Sequence, residues 1–70
     1  MDLKEYNKII NDGWQLLKSY YPPKKGQEYW DNLIFDANNM VELNGRKEFA
    51  IKIAVVVVNE LERVQKEEFA

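Results

Sequence analysis

The 70 residues predict an all-α fold, a single three-helix bundle with the third helix most buried, and three observations carry that prediction. Apolar residues recur at i, i+3, i+4 and i+7 in three segments, about residues 2–21, 27–43 and 46–67. Pro22-Pro23 separates the first from the second, because consecutive prolines can neither donate the helical hydrogen bonds nor leave Tyr21 free of extended geometry. Asn44-Gly45 separates the second from the third and supplies the left-handed stop that ends many helices.

In the first segment, Asp2 followed three residues later by Glu5 forms a capping-box pattern. Leu3, Tyr6, Ile10, Trp14, Leu17 and Tyr21 make one apolar stripe, expected to face the core, and Ile9 and Leu16 widen it. Gly13 within this helix predicts that another helix or an aromatic ring approaches closely; a hinge is the alternative. Tyr20 to Gly26 then reads as a helix–helix connection, since two prolines do not make a PxxP recognition motif.

The second segment places Trp30, Leu33, Ile34, Ala37, Met40 and Val41 on one face, with Glu28 and Asp31 in the first turn where negative charge suits the helix dipole. Phe35 falls far from that face and is a candidate for partner contact. Both connections are short, so each helix is expected to run antiparallel to the one before it.

The third segment holds the densest apolar run, with Ile51, Ile53 and Ala54 leading into Val55, Val56, Val57 and Val58. β-Branched density favours a strand over residues 49–58. Helical phase accounts for more: Ala50, Ile53, Ala54, Val57, Leu61 and Val64 share one arc, and Glu62 and Lys66 are spaced for an i, i+4 ion pair. A strand would also have to stop near Val58 without a turn residue. The helix reading leaves Phe49, Ile51, Val55 and Val56 outside the arc. Either the other two helices cover them or they form a self-association surface, for which exposed contiguous apolar area is the usual sign. The tail from Glu67 to Ala70 is expected to fray.

Composition narrows the function. Neither cysteine nor histidine occurs, which removes thiol chemistry, iron–sulfur clusters and zinc fingers and accords with a reducing cytoplasm. Twelve acids and ten bases are interspersed, giving net charge −2 and no basic field for nucleic acid or an anionic membrane. The start of the chain lacks the basic and apolar regions of a signal peptide, and no apolar run reaches the ~20 residues of a membrane span.

Acid–base catalysis by carboxylates needs two of them across a cleft, whereas Glu28, Asp31 and Asp36 read as solvated helix faces. Asp31, Asp36 and Glu42 lack calcium-loop spacing, so no metal, cofactor or small-molecule substrate is indicated. A helix-turn-helix reading founders on the valine-rich third helix, which offers little to base edges. Lys24 and Lys25 should also lie at the opposite end of an up-down-up bundle from Arg46 and Lys47.

Residues 28–34 (EYWDNLI) leading into Asp36-Ala37-Asn38, and Glu48-Phe49-Ala50 leading into 58–63 (VNELER), resemble stretches of small uncharacterised proteins from bacteriophages and mobile elements of Gram-positive bacteria. The resemblance spans about residues 28–66, rests mainly on helical core pattern, and brings no assigned activity or functional residue. It implies an intracellular accessory protein with protein partners. The expectation is therefore a cytoplasmic, non-enzymatic protein–protein interaction module that forms a homodimer or binds another protein. Its candidate interface residues are Phe35, Ile51, Val55 and Val56. The alternative is a small phage-type regulator that contacts nucleic acid.

Overall fold

The computed structural model describes residues 1–69 and contains three helices, α1 (Leu3–Tyr20), α2 (Gln27–Leu43) and α3 (Glu48–Phe69). No strand occurs among the described residues, so residues 49–58 are helical throughout. The helices run up, down and up, leaving α1 and α3 parallel. α3 packs on both others more extensively than these pack on each other. The bundle measures 41 × 18 × 17 Å.

Asp2 caps α1 by accepting the Glu5 amide at 2.9 Å, whereas the Glu5 side chain turns away from the cap to Lys47. Half of the predicted capping box forms, because a cation on another element competes for the Glu5 carboxylate. Tyr21 is extended, as the following proline requires. α2 ends in a Schellman motif: Gly45 N–H donates to the Glu42 carbonyl at 3.1 Å and Arg46 N–H to the Val41 carbonyl at 2.9 Å. Gly45 and Arg46 both have positive φ, 67° and 56°. The turn consumes two residues in this way, so α3 starts at Glu48, two residues later than predicted. Helix continues to Phe69, where the sequence suggested fraying, and the Lys25 ammonium lies 5.1 Å from the Phe69 ring.

The core consists of Ile9, Leu16, Leu33, Ala37, Met40, Ala50, Ala54, Val57 and Leu61. It agrees with the predicted inner face of α3 and with that of α2 except Ile34, which lies at the edge of the face and is 45% exposed, and it corrects that of α1. Leu3, Tyr6, Ile10, Trp14 and Tyr21, expected inside, are exposed and Leu17 is only partly buried, whereas Gly13 and the flanking Ile9 and Leu16, expected only to widen the stripe, form the centre of the buried face. Helix α1 therefore faces its neighbours about 100° away from the predicted direction, one residue's rotation. The physical reason is the size of the residues at the contacts. Gly13, Ala37, Ala50 and Ala54 let the helices approach closely, and a Cβ on Gly13 would collide with Ile53 Cγ2. Interaxial distance follows the side chains at the crossing, and the rings of Trp14 and Tyr21 would hold the axes too far apart for this core to close.

Candidate interaction surfaces

Because α3 is overlaid on one side only, its two flanks remain open, each continuing onto one neighbouring helix. On the α1 flank, the Tyr6 and Phe49 rings meet edge to face with centroids 4.9 Å apart. Further along lies a cleft of about 400 Å³ between Trp14 and Leu17 of α1, with Tyr21 just past its end, and Glu60, Leu61 and Val64 of α3. The Lys18 ammonium stands 5.9 Å from the Trp14 ring, and Trp14 remains half exposed. Ile10 belongs to the same stripe, and helical phase puts Val56 on this flank together with Phe49 and Glu60. Leu3, Ile10, Trp14, Tyr21 and Val56 are 86%, 52%, 54%, 59% and 61% exposed.

The α2 flank differs in chemistry. Its cleft holds about 260 Å³ and is bordered by Ile34, Val41, Ile51, Val55 and Val58, with Asn38 and Asn59 at the rim. All its apolar residues are aliphatic, and Val55 is half exposed.

The four sequence candidates are all exposed, yet they do not form one surface. Ile51 and Val55 lie together in the α2 cleft, and Val56, one residue on, turns to the α1 flank. Phe35 is 67% exposed and stands on the side of α2 opposite Leu33 and Ala37, apart from both clefts. Of the residues that the sequence left outside the arc, the neighbouring helices partly cover Phe49 but not Ile51, Val55 or Val56. Sequence reasoning missed Leu3, Tyr6, Ile10, Trp14 and Tyr21 as surface, having assigned them to the core. A signal was present: Ile9, Gly13, Leu16 and Tyr20 form a second stripe beside the first, and the glycine marks the face that is closely approached.

Two polar clusters hold α1 against its neighbours. Asn44 is buried, its Nδ2 donating to the Met40 carbonyl at 2.8 Å and to Asp12 Oδ2 at 3.0 Å, while its Oδ1 accepts from Lys8 Nζ at 2.8 Å. Burial works to raise the Asp12 carboxyl, but hydrogen bonds from Asn44 and Lys8 and the Lys8 charge prevail and hold it below the usual carboxylate value. At the other end, Tyr29 hydroxyl donates to the Tyr20 carbonyl at 2.6 Å, and Tyr20 hydroxyl donates to Asp36. Burial, then the hydrogen bond to Asp36 and its charge, push the Tyr20 phenol up to about 12.

Of the carboxylates weighed as ligands or catalysts, three have partners on the protein. Asp36 accepts from Tyr20, Asp31 from Gln27 and Glu42 from Arg46. Among the described residues no cluster of metal-ligating side chains occurs, and no helix is long and apolar enough to cross a membrane. Lys24 and Lys25 sit beside the C-terminal part of α3, where Gln65 reaches the Lys24 carbonyl. Arg46 and Lys47 lie at the other end and are paired with Glu42 and Glu5. These four cations therefore do not converge. No protein-family model matches this chain, and no curated protein or solved structure is detectably similar to it.

Proposed function

We propose that this protein is a non-enzymatic protein–protein interaction module acting in the cytoplasm, with a rigid three-helix scaffold that presents the two flanks of α3 to protein partners. The observation behind the reading is the exposure of thirteen large apolar side chains, of which Tyr6, Ile10, Trp14, Tyr21, Ile34, Ile51, Val55 and Val56 fall on those flanks. A chain of this size has few apolar residues to spare from its core, and contiguous apolar surface outside it marks association. The split placement of Lys24, Lys25, Arg46 and Lys47 favours this reading over the nucleic-acid one, which needs cations gathered along a phosphate backbone.

A photo-crosslinking residue placed at Ile10, at Val55 or, as a control, at Glu28 tests the reading in cells expressing the protein. Protein adducts of discrete mass at Ile10 or Val55, without the same adducts at Glu28, are expected. Equal adducts at all three positions, adducts only to nucleic acid, or none at all would refute it.

A further inference from the structure

We infer that the α1 flank, formed by α1 and α3, is occupied by the same face of a second copy of this chain, giving a two-fold dimer; this rests on the interaction-module reading and names one partner. Three observations carry it. The first is area. Leu3, Tyr6, Ile10, Trp14, Tyr21 and Val56 retain 39–86% of their surface in water. At roughly 200 Å² for a large side chain, that leaves on the order of 700 Å² per copy, close to the ~800 Å² that each side of a standard interface contributes.

The second is composition. Tyr6, Trp14 and Tyr21 on this flank are of the types that dominate binding energy at interfaces, whereas the α2 cleft has no aromatic lining. The stripe itself is spaced as a helix-packing seam: Leu3, Ile10 and Leu17 repeat every seven residues, and Trp14 and Tyr21 interleave with them.

The third is charge layout and shape. Close approach at Gly13 makes α1 and α3 a pair of adjoining parallel ridges with a shallow cleft between them. Lys18 on α1 and Glu60 on α3, the latter also paired with Arg63 at 2.7 Å, both border that cleft. A two-fold axis running along the bundle sets α1 of each copy over α3 of the other, and so brings each Lys18 toward its mate's Glu60. An isologous interface requires self-complementarity of this kind.

The experiment is the molar mass of the full chain by light scattering across a concentration series, with circular dichroism on the same samples. The wild type is compared with Ile10→Asp, Trp14→Glu and Val55→Asp. The expected result is a wild-type mass that rises from one chain to two with concentration, and normal helicity in all variants. Ile10→Asp and Trp14→Glu should each raise the dissociation constant at least ~100-fold, since each is present twice in a symmetric interface. Val55→Asp should leave it unchanged. The two α1 variants are independent, so if one fails to fold the other decides the question. A wild type that stays monomeric throughout, or a dimer abolished by Val55→Asp and kept by both α1 variants, overturns the inference. Either outcome leaves the interaction-module reading standing as long as the crosslinker at Val55 still captures protein.

Discussion

The two ends of this bundle fix the same object, helix α1, by opposite chemistry. At the α2–α3 turn, Lys8 and Asp12 of α1 close on the buried Asn44, and Glu5 pairs with Lys47, so α1 is held there by charge and hydrogen bonds. At the α1–α2 turn, the rings of Tyr20 and Tyr29 meet at 5.6 Å and those of Tyr29 and Trp30 at 5.2 Å, with the Tyr29 hydroxyl closing the last turn of α1. One end depends on satisfying polar groups taken out of water, and the other on aromatic area with a few polar tips. Since α1 also carries most of the exposed apolar flank, loosening either end should disorganise that surface before the core itself melts.

The largest effect should come from breaking the polar end. Asn44→Ala takes a shared partner from Asp12, Lys8 and the Met40 carbonyl; Lys8 and Asp12 keep their own ion pair at 3.0 Å and the carbonyl keeps the residue-44 amide, so the cost falls within the about 1–3 kcal/mol of one under-satisfied site. A loss of about 2 kcal/mol in urea unfolding is expected, and a loss under 1 would mean that the Lys8–Asp12 pair and water replace the asparagine without penalty. Breaking the aromatic end more gently, Tyr29→Phe keeps the rings stacked and removes only the hydroxyl bond to Tyr20, for an expected cost of about 1 kcal/mol.

Midway between the ends, Gly13→Ala gains about 1 kcal/mol of helix propensity but drives a Cβ into Ile53, and overpacking costs about 1–3 kcal/mol. The net expectation is about 1 kcal/mol of destabilisation, read from thermal unfolding. A stabilised Gly13→Ala protein would show that α1 rides on the two ends alone. The position also separates the two forces acting on α1, because the clash involves a β-branched side chain that cannot swing aside.

The smallest effects distinguish the ends by pH. The Asp12 carboxyl is held below its ordinary 3.8 in the folded chain, so the unfolded state takes up its proton first as pH falls. The stability supplied by the polar end is thus present above about that value and is lost progressively on further acidification. Amide signals around Asn44 should broaden in NMR spectra before those around Tyr29. Tyr20 runs the other way: raised from 10.0 to about 12, it keeps its proton longer in the folded than in the unfolded state. Its contribution is complete below pH 10 and disappears as pH climbs to about 12. Near-ultraviolet absorbance titration should show a late tyrosine step, to which Tyr29, also raised by burial, contributes, and Tyr20→Phe should shrink that step.

The sequence by itself determined the helices and, apart from the two ends of α3, where they stop, because those depend on neighbouring residues. Pro22-Pro23 cannot be helical, Asn44-Gly45 supplies a left-handed terminus, and Asp2 caps from one turn away. Helical phase likewise settled the inner faces of α2 and α3, where Leu33, Ala37, Ala50, Val57 and Leu61 stand as their spacing implies. Two things escaped it. Asn44 looked like a turn residue and also became a buried hub, since Lys8 and Asp12 reach it only after α1 folds back alongside.

The inner face of α1 was the other. Two apolar stripes lie about 100° apart on that helix, and the more aromatic one, Tyr6, Ile10, Trp14 and Tyr21, has the stronger hydrophobic claim on the core. Only the tertiary structure decided between them. The choice is made by how near α3 can come: Gly13 opposite Ile53, and the alanines opposite, close a thin core that large rings would prop open. Hydrophobicity is a property of each residue, whereas fit belongs to the pair of surfaces that meet, and the aromatic stripe was therefore left outside.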